Sequence, residues 1–548
     1  MALLYCIAMQ LVSCGTYKSV HHKPETAGYN STVPVVTLTA DSTLVSGNNF
    51  LLKNKQGLWE LYAEGDALQR GLVTGALSKD LIGRQEAIFI SKIKEIVPSK
   101  FKLSLLRQFL KWYNRKLYLY VPQEYKTEIY GMSQYTSKEY DNVAPPYLRS
   151  LYLHAAHDIG HALNDLSLVG CTSFAAWGNN TPDGSLLLAR NLDFYAGDEF
   201  AKNKIVSFVK PDKGYPFMSV TWGGMIGVLS GMNSEGLTIT LNSGKSDIPL
   251  IAKTPISLLA REILQYSKNI EEAVAIAKKH EVFVSESIMI GSAYDHKAVI
   301  IEVSPNKFGV YEVPNSTELI CSNHFQSDAY KNDENNNLAK LNSHSQYRYE
   351  RMAQLLTESG KMTPVKAAAV MRNTKGINDM ALGYGNEKAI NQLLAHHSVI
   401  FKPEQRLVWV SANPYQLGAY VAYDLNEVFS KDHRGIKGSV AVDSLLIPED
   451  PFVHSQAFKD YEQFRIQDRV IDMAIAKKET LPVDFIKSYQ MLNPDYWVVY
   501  YKAGAYNYSK GYYTAAKAEF EKALTKEITT LPDKHRIEEY IDEINKKP

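Results

Sequence analysis

Gly170-Cys-Thr-Ser-Phe-Ala-Ala-Trp-Gly178, then Asn180-Thr-Pro-Asp-Gly184, then Leu187-Leu-Ala-Arg-Asn-Leu-Asp-Phe194 is the run whose reading decides the fold. The apolar and aromatic segment opened by Cys171 reads as a strand. Pro182-Asp183-Gly184 reverses the chain, and Leu187–Phe194 returns as a second strand carrying Arg190 and Asp193. A hairpin of that length brings both charged residues back beside Cys171. A guanidinium near a thiol favours thiolate, the nucleophilic form, and a carboxylate orients an amine through a charge-assisted hydrogen bond.

Outward from this hairpin the same grammar repeats. Ile205–Val209 ends at Pro211-Asp-Lys-Gly, and Pro216–Trp222 ends at Gly223-Gly224. Gly227–Ser230 ends near Asn233-Ser-Glu-Gly236, and Leu237–Leu241 follows. Further strands are predicted at 287–291, 297–303, 308–313, 318–322, 397–402 and 406–411, with helix pairs at 255–279 and 344–372. Upstream, Phe50–Lys53 and Leu58–Ala63 read as strands. Residues 67 to about 120 switch to helical spacing, with Ile88, Ile90, Ile93, Ile96 and Val97 largely on one face. Hairpin-linked strands in blocks, separated by helix pairs, predict an α+β protein of antiparallel sheets covered by helices. After about residue 430 the sequence becomes helix-forming. There Tyr500, Gly504, Gly511, Ala516, Phe520 and Ala523 resemble one tetratricopeptide repeat, and a single copy must pack on its neighbours to be stable.

Composition sets outer limits. The 548 residues carry 60 Lys and Arg against 59 Asp and Glu, a formal charge of +1, which excludes whole-molecule electrostatics as a route to nucleic acid or an anionic membrane surface. Hydrophobic residues at 45% and charged residues at 22% are the proportions of a globular enzyme. Four cysteines (Cys6, Cys14, Cys171 and Cys321) are too few for a disulfide framework. Cys321 reads as a small buried apolar residue. The opening run to Cys14 is apolar but too short to span a bilayer. Its end, Leu11-Val-Ser-Cys14-Gly15, resembles a bacterial lipobox, although no Lys or Arg precedes it. That reading predicts a signal over 1–14, a lipid on Cys14, a polar tether over 15–46, and a place in the bacterial cell envelope, at the outer membrane.

The segment from Gly170 to Phe194 resembles the linear-amide C–N hydrolases that include choloylglycine hydrolases and penicillin acyltransferases. Two other segments agree. Gly231-Met-Asn-Ser-Glu-Gly-Leu-Thr-Ile-Thr-Leu-Asn242 is similar to the strand ending in an oxyanion-hole Asn, and Ser322-Asn323-His324-Phe325 to a Thr-Asn-His segment. Ser345-Gln-Tyr-Arg348-Tyr-Glu-Arg351 is similar to a later Arg-aromatic-x-Arg element, with Arg348 preferred and Arg351 open. The resemblance covers about residues 50–425. It implies an αββα sandwich over 47–430, cut by the protein itself between Gly170 and Cys171, and followed by an all-α region over 431–548 outside the catalytic machinery. It implies a thiol nucleophile at Cys171, with Arg190, Asp193, Asn242, Asn323 and Arg348 around it. The freed Cys171 amine is then the base, and the substrate is a small N-acyl amide hydrolysed or transferred without cofactor or metal.

Two other readings compete. His154, His157 and His161 have helical spacing suited to a zinc hydrolase, but Asp158 stands where the metallopeptidase pattern needs Glu, and Gly160 weakens the helix. A lipid-tethered binding or scaffold protein, using its helical C-terminus for an unknown protein partner, is the non-enzymatic alternative.

Overall fold

The computed structural model describes residues 16–155, 158, 169–247 and 251–547. The lipobox cysteine Cys14, and His157 and His161 of the histidine pattern, lie outside the described residues.

Seventeen strands form two sheets. They are β1 Thr37–Leu38, β2 Leu44–Ser46, β3 Asn49–Lys53, β4 Trp59–Gly65, β5 Val169–Ala176, β6 Leu187–Phe194, β7 Ile205–Pro211, β8 Phe217–Thr221 and β9 Ser230–Asn233. The series continues with β10 Leu237–Ser243, β11 Glu286–Ser292, β12 Lys297–Val303, β13 Phe308–Tyr311, β14 Glu318–Cys321, β15 His397–Lys402, β16 Leu407–Ser411 and β17 Tyr420–Asp424. The large sheet runs β1-β2-β3-β4-β7-β8-β9-β10-β11-β12-β13, and the small one β14-β5-β6-β15-β16-β17. All pairs are antiparallel except β4–β7. The long chain between those two strands permits a parallel crossover, which a short turn forbids.

Helices around the sheets include α1 Ala67–Ile96, α2 Lys100–Tyr113, α3 Gln123–Ser133, α4 Pro146–His154, α5 Ile256–Tyr266, α6 Ile270–Lys279, α7 Ser345–Ser359 and α8 Pro364–Met371. Three apolar layers fix the stacking. Phe50, Tyr62, Phe208 and Met289 of the large sheet meet Leu188, Val399, Val410 and Tyr423 of the small one. The opposite face of the large sheet, with Ile239, Ile290 and Ile301, takes Ile82, Ile129, Leu151 and Leu259 from α1, α3, α4 and α5. The outer face of the small sheet, with Phe174, Ala189, Ile400 and Trp409, takes Met352, Leu356, Ala367 and Met371 from α7 and α8. The order is helix, sheet, sheet, helix: the expected αββα sandwich. Where α1 crosses α3 the backbones touch. A β-carbon at Gly71 would lie 2.1 Å from the Glu128 carbonyl oxygen, so only glycine fits.

Three local readings change. The strand expected over 227–230 begins at Ser230, because Val228 N–H donates to the Ser257 carbonyl (2.8 Å) at the start of α5 rather than to a ladder. β17 extends the small sheet past the expected last strand and pairs with β16. At the end of α1, Ile93 and Ile96 stand largely exposed although they share the predicted apolar face.

The C-terminal region adds α9 Gln456–Lys477, α10 Phe485–Leu492, α11 Trp497–Ser509, α12 Tyr513–Leu524 and α13 Leu531–Asn545. Helices α11 and α12 form the repeat-like pair, with Gly504 directly against the Phe520 ring. These helices share one apolar cluster with Leu393 and Leu417 of the sandwich. Asn493 Oδ1 accepts from Tyr384 N–H (3.0 Å), Asn386 Nδ2 donates to the Glu527 carbonyl (3.0 Å), and Lys388 pairs with Glu527. Tyr461 Oη donates to the Leu393 carbonyl (3.3 Å). The appendage therefore clamps the irregular segment 383–393, which reaches the site.

Candidate active site

The predicted hairpin forms with Gly170 opposite Asp193, Cys171 opposite Leu192 and Ser173 opposite Arg190. Residues two apart share a face of a strand, so Cys171 and Arg190 are diagonal neighbours. Arg190 Nη2 donates to Cys171 Sγ at 3.4 Å. The guanidinium is pinned by the large sheet: Nη1 donates to Ser230 Oγ (2.6 Å) and the Leu229 carbonyl (3.2 Å), and Nη2 also donates to the Leu241 carbonyl. Ser230 Oγ in turn meets His397 Nε2 at 2.9 Å. Burial pushes the Cys171 thiol up, Arg190 draws it down, and Asp193 and Glu286 push it up again.

Asp193 sits one register position away, so alternation puts it on the other face of the hairpin, on the side of the Cys171 main chain. It is fully buried, and neither carboxylate oxygen has a hydrogen-bond partner among the described residues. Burial pushes its pKa up to about 8, with Arg348 and Arg190 pulling the other way.

Arg348 on α7 lies in the site. Its Nη1 donates to the Cys171 carbonyl (2.6 Å) and Thr172 Oγ1, and its Nη2 to Asn323 Oδ1 (2.6 Å). Burial lowers its pKa to about 10. Arg351, one turn on, points to Gln354, Asn373 and Asp379 instead, so the choice left open by sequence falls on Arg348. Asn323 Oδ1 also accepts from Cys171 N–H at 3.0 Å, while its Nδ2 donates to the Ser243 carbonyl and hydroxyl, both at 2.9 Å. Asn242 accepts from Ser173 Oγ (2.8 Å) and donates to the carbonyls of Cys321 (3.1 Å) and Ser322 (3.4 Å). Asn323 thus touches Cys171 itself and Asn242 touches Ser173 two residues on, with the amide N–H groups of both turned to main-chain carbonyls.

The donor that meets the Gly170 carbonyl is a residue the sequence did not reveal. Gln392 Nε2 donates to it at 3.4 Å. A β-carbon at residue 170 would lie 2.7 Å from that same nitrogen, which explains glycine at this position. Gln392 is buried in the clamped segment between α8 and β15, far from any motif, and Gly170 is the sole hint of its presence. Cys321 is buried in the layer between the sheets, as expected of a small apolar residue.

His154 and His324 are committed elsewhere. His154 Nδ1 donates to the Ser150 carbonyl (2.7 Å) and its Nε2 accepts from Ile226 N–H (2.9 Å). Burial lowers its pKa to about 4, so it is a neutral core residue with no lone pair left for zinc. Asp158 Oδ2 accepts from Ile256 N–H at 2.7 Å, capping α5. His324 Nδ1 meets Ser345 Oγ at 2.8 Å, and burial lowers its pKa to about 3.

Residues 179–414 match the family model of acyl-coenzyme A:6-aminopenicillanic acid acyl-transferase. Over this stretch, less than half of its length, the chain is similar to that acyl-transferase family. The matched stretch contains Arg190, Asp193, Asn242, Asn323, Arg348 and Gln392 and begins just downstream of Cys171. It is 25% identical over 274 residues to an uncharacterized protein of Archaeoglobus fulgidus, covering 46% of this chain and 45% of that one. It is 23% identical over 282 residues to protein dcd1B of Dictyostelium discoideum, covering 47% and 52%. The chain spans about half the length of these curated relatives. A similar solved structure is the Caenorhabditis elegans ortholog of N-acylethanolamine-hydrolyzing acid amidase. It is 19% identical, covers 43% of this chain and 93% of that one, and has a TM-score of 0.32.

Proposed function

We propose that this chain is a self-processing cysteine amidase that cleaves linear N-acyl C–N bonds through a thioester, with acyl transfer to an amine as its second outlet. The observation that carries the reading is the arrangement around one peptide bond. Arg190 touches the Cys171 thiol, Asn323 and Arg348 hold the N–H and carbonyl of Cys171, and Asp193 stands unpartnered opposite Gly170.

In the first step Cys171 sulfur bonds to the Gly170 carbonyl carbon. The Gly170–Cys171 C–N bond breaks, and the thiol proton ends on the departing nitrogen. Water then opens the thioester, leaving a Gly170 carboxylate and a free Cys171 amine. Such an amine titrates at about 7.7–8.0 in isolation, so it accepts the thiol proton near neutral pH without a histidine. Asp193, a neutral acid in the uncut chain at pH 7, gives its proton up once this amine forms and holds it as an ion pair. The thiolate attacks the substrate carbonyl, donors around the site stabilise the oxyanion, and water or an amine resolves the acyl-enzyme. A lipid on Cys14 would tether the enzyme to the bacterial outer membrane.

The test is the state of the chain. Purified protein should contain a fragment of about 42 kDa starting Cys-Thr-Ser-Phe-Ala, and Cys171→Ala should remain a single 61.6 kDa chain with no amidase activity. Amide hydrolysis by a chain intact at Gly170–Cys171 would reject the amine-as-base mechanism. An intact chain without activity would leave the binding-protein reading standing. No cysteine-dependent release from a panel of N-acyl amino acids and amines would reject the activity itself.

A further inference from the structure

The stretch between Glu95 and Glu124 contains no acidic residue but six cations: Lys100, Lys102, Arg107, Lys111, Arg115 and Lys116. It holds α2, and of that fourteen-residue helix only Tyr113 is buried. The rest of α2 rides on the surface. Phe101, Leu105 and Phe109 recur at every fourth position, so they form one stripe along the helix. They are 72%, 55% and 39% exposed. In the last turn of α1, three residues before α2 begins, Ile93 and Ile96 are 41% and 49% exposed. A surface helix ordinarily turns such a stripe to the core; this one turns it to the solvent. None of the six cations pairs with a carboxylate among the described residues. Arg115 lies over the Trp112 ring at 4.4 Å, and Arg107 donates to the Asn142 carbonyl at 3.3 Å.

We propose that α2 and the end of α1 form a docking face for an anionic lipid bilayer, with the apolar stripe dipping into the headgroup boundary and the cations meeting lipid phosphates. Apolar bodies flanked by basic residues are what an in-plane interfacial helix requires, and each cation near an anionic surface adds attraction. A second copy of this chain fits less well, because two such faces would bring twelve unpaired cations together. The described N-terminal segment packs just beyond the C-terminal end of α2. The His22 ring sits 4.3 Å from the Tyr118 ring just beyond α2, and the Glu25 carbonyl accepts from Gln123 Nε2 (2.9 Å) and Thr127 Oγ1 (3.0 Å). Among the described residues no helix is long and apolar enough to cross a membrane, so any contact made here is peripheral.

The test separates this face from any lipid on the chain. Full-length Cys14→Ser protein is mixed with vesicles of phosphatidylcholine alone or with added phosphatidylglycerol, and floated. It should bind the anionic vesicles and not the neutral ones. Raising salt from about 0.1 to about 0.5 M should weaken binding as the charges are screened. Phe101→Glu with Leu105→Glu should reduce binding at least about tenfold while the thermal unfolding midpoint and circular dichroism stay unchanged, which shows that the variant folds. No binding of the Cys14→Ser protein to anionic vesicles would overturn the proposal, as would binding that ignores the two substitutions. A dimer in solution that the same substitutions dissociate would assign the face to a second copy instead. Loss of self-cleavage in Cys171→Ala leaves this test unaffected, so it fails or succeeds apart from the catalytic reading.

Discussion

Gly170→Ala should slow self-cleavage about a hundred- to a thousandfold, through Gln392. The added β-carbon would lie 2.7 Å from Gln392 Nε2, 3.0 Å from Oε1 and 3.3 Å from Cδ. The amide must move to admit it, and its hydrogen bond to the Gly170 carbonyl, already 3.4 Å, cannot survive that movement. That bond is long in the resting chain and would shorten as negative charge grows on the oxygen. Losing one such donor raises a barrier by about 2.7–4 kcal/mol, which sets the expected fold-change. Gln392→Ala removes the same donor without a clash and should slow cleavage by a similar factor. The double variant Gly170→Ala, Gln392→Ala should be no slower than either single one, because both lose the same interaction. Accumulation of the fragment starting at Cys171, followed by intact mass over time, reads all three rates. Wild-type speed in Gln392→Ala, or additive losses in the double variant, would refute the role of Gln392.

Two further outcomes follow from burial and packing. Asp193 binds its proton up to about pH 8 when folded, against about 3.8 in its ordinary state, so an uncut Cys171→Ala chain loses stability as pH rises from about 4 to about 8. Denaturant titrations across that window should show a smaller loss when Asp193→Asn is added, and an unchanged slope would place the titration elsewhere. Removing residues 456–548 should slow self-cleavage, because Asn493, Glu527 and Tyr461 hold segment 383–393 and with it Gln392. Wild-type cleavage by the truncated chain would restore the sequence expectation that the appendage lies outside the machinery.

Much of the fold was legible because its signals are local. Turn residues at 182–184, 211–214 and 233–236 mark the hairpins, and alternation within 187–194 already sets which side chains flank Cys171. The strand at 227–230 was misread because its apolar residues pack on α5, a partner distant in sequence. Ile93, Ile96 and the α2 stripe have helical spacing like any core face, and nothing in the spacing tells solvent from core. Cys171, Arg190, Asp193 and Asn323 sit in short motifs. Gln392 does not: its position depends on 222 residues of intervening chain and on a clamp from the C-terminal helices. The Arg348 and Arg351 ambiguity has the same origin, since both are buried on one helix and only tertiary partners distinguish them.

The hairpin divides the chemistry between its two faces. On one face Arg190 meets the sulfur; on the other Asp193 stands opposite Gly170, and strand alternation makes that separation unavoidable for residues three apart. The contacts to Cys171 N–H and its carbonyl, from Asn323 and Arg348, use atoms that cleavage leaves in place. They can hold the nucleophile still while the bond on its N-terminal side is broken. What cleavage changes is the neighbourhood of Asp193. An amide nitrogen offers a buried carboxylate nothing to neutralise it, whereas an ammonium does, so the new terminus stabilises the ionised acid and the acid stabilises the charged amine. If the chain is cut as proposed, the buried, unpartnered carboxylate of Asp193 would be costly only until then.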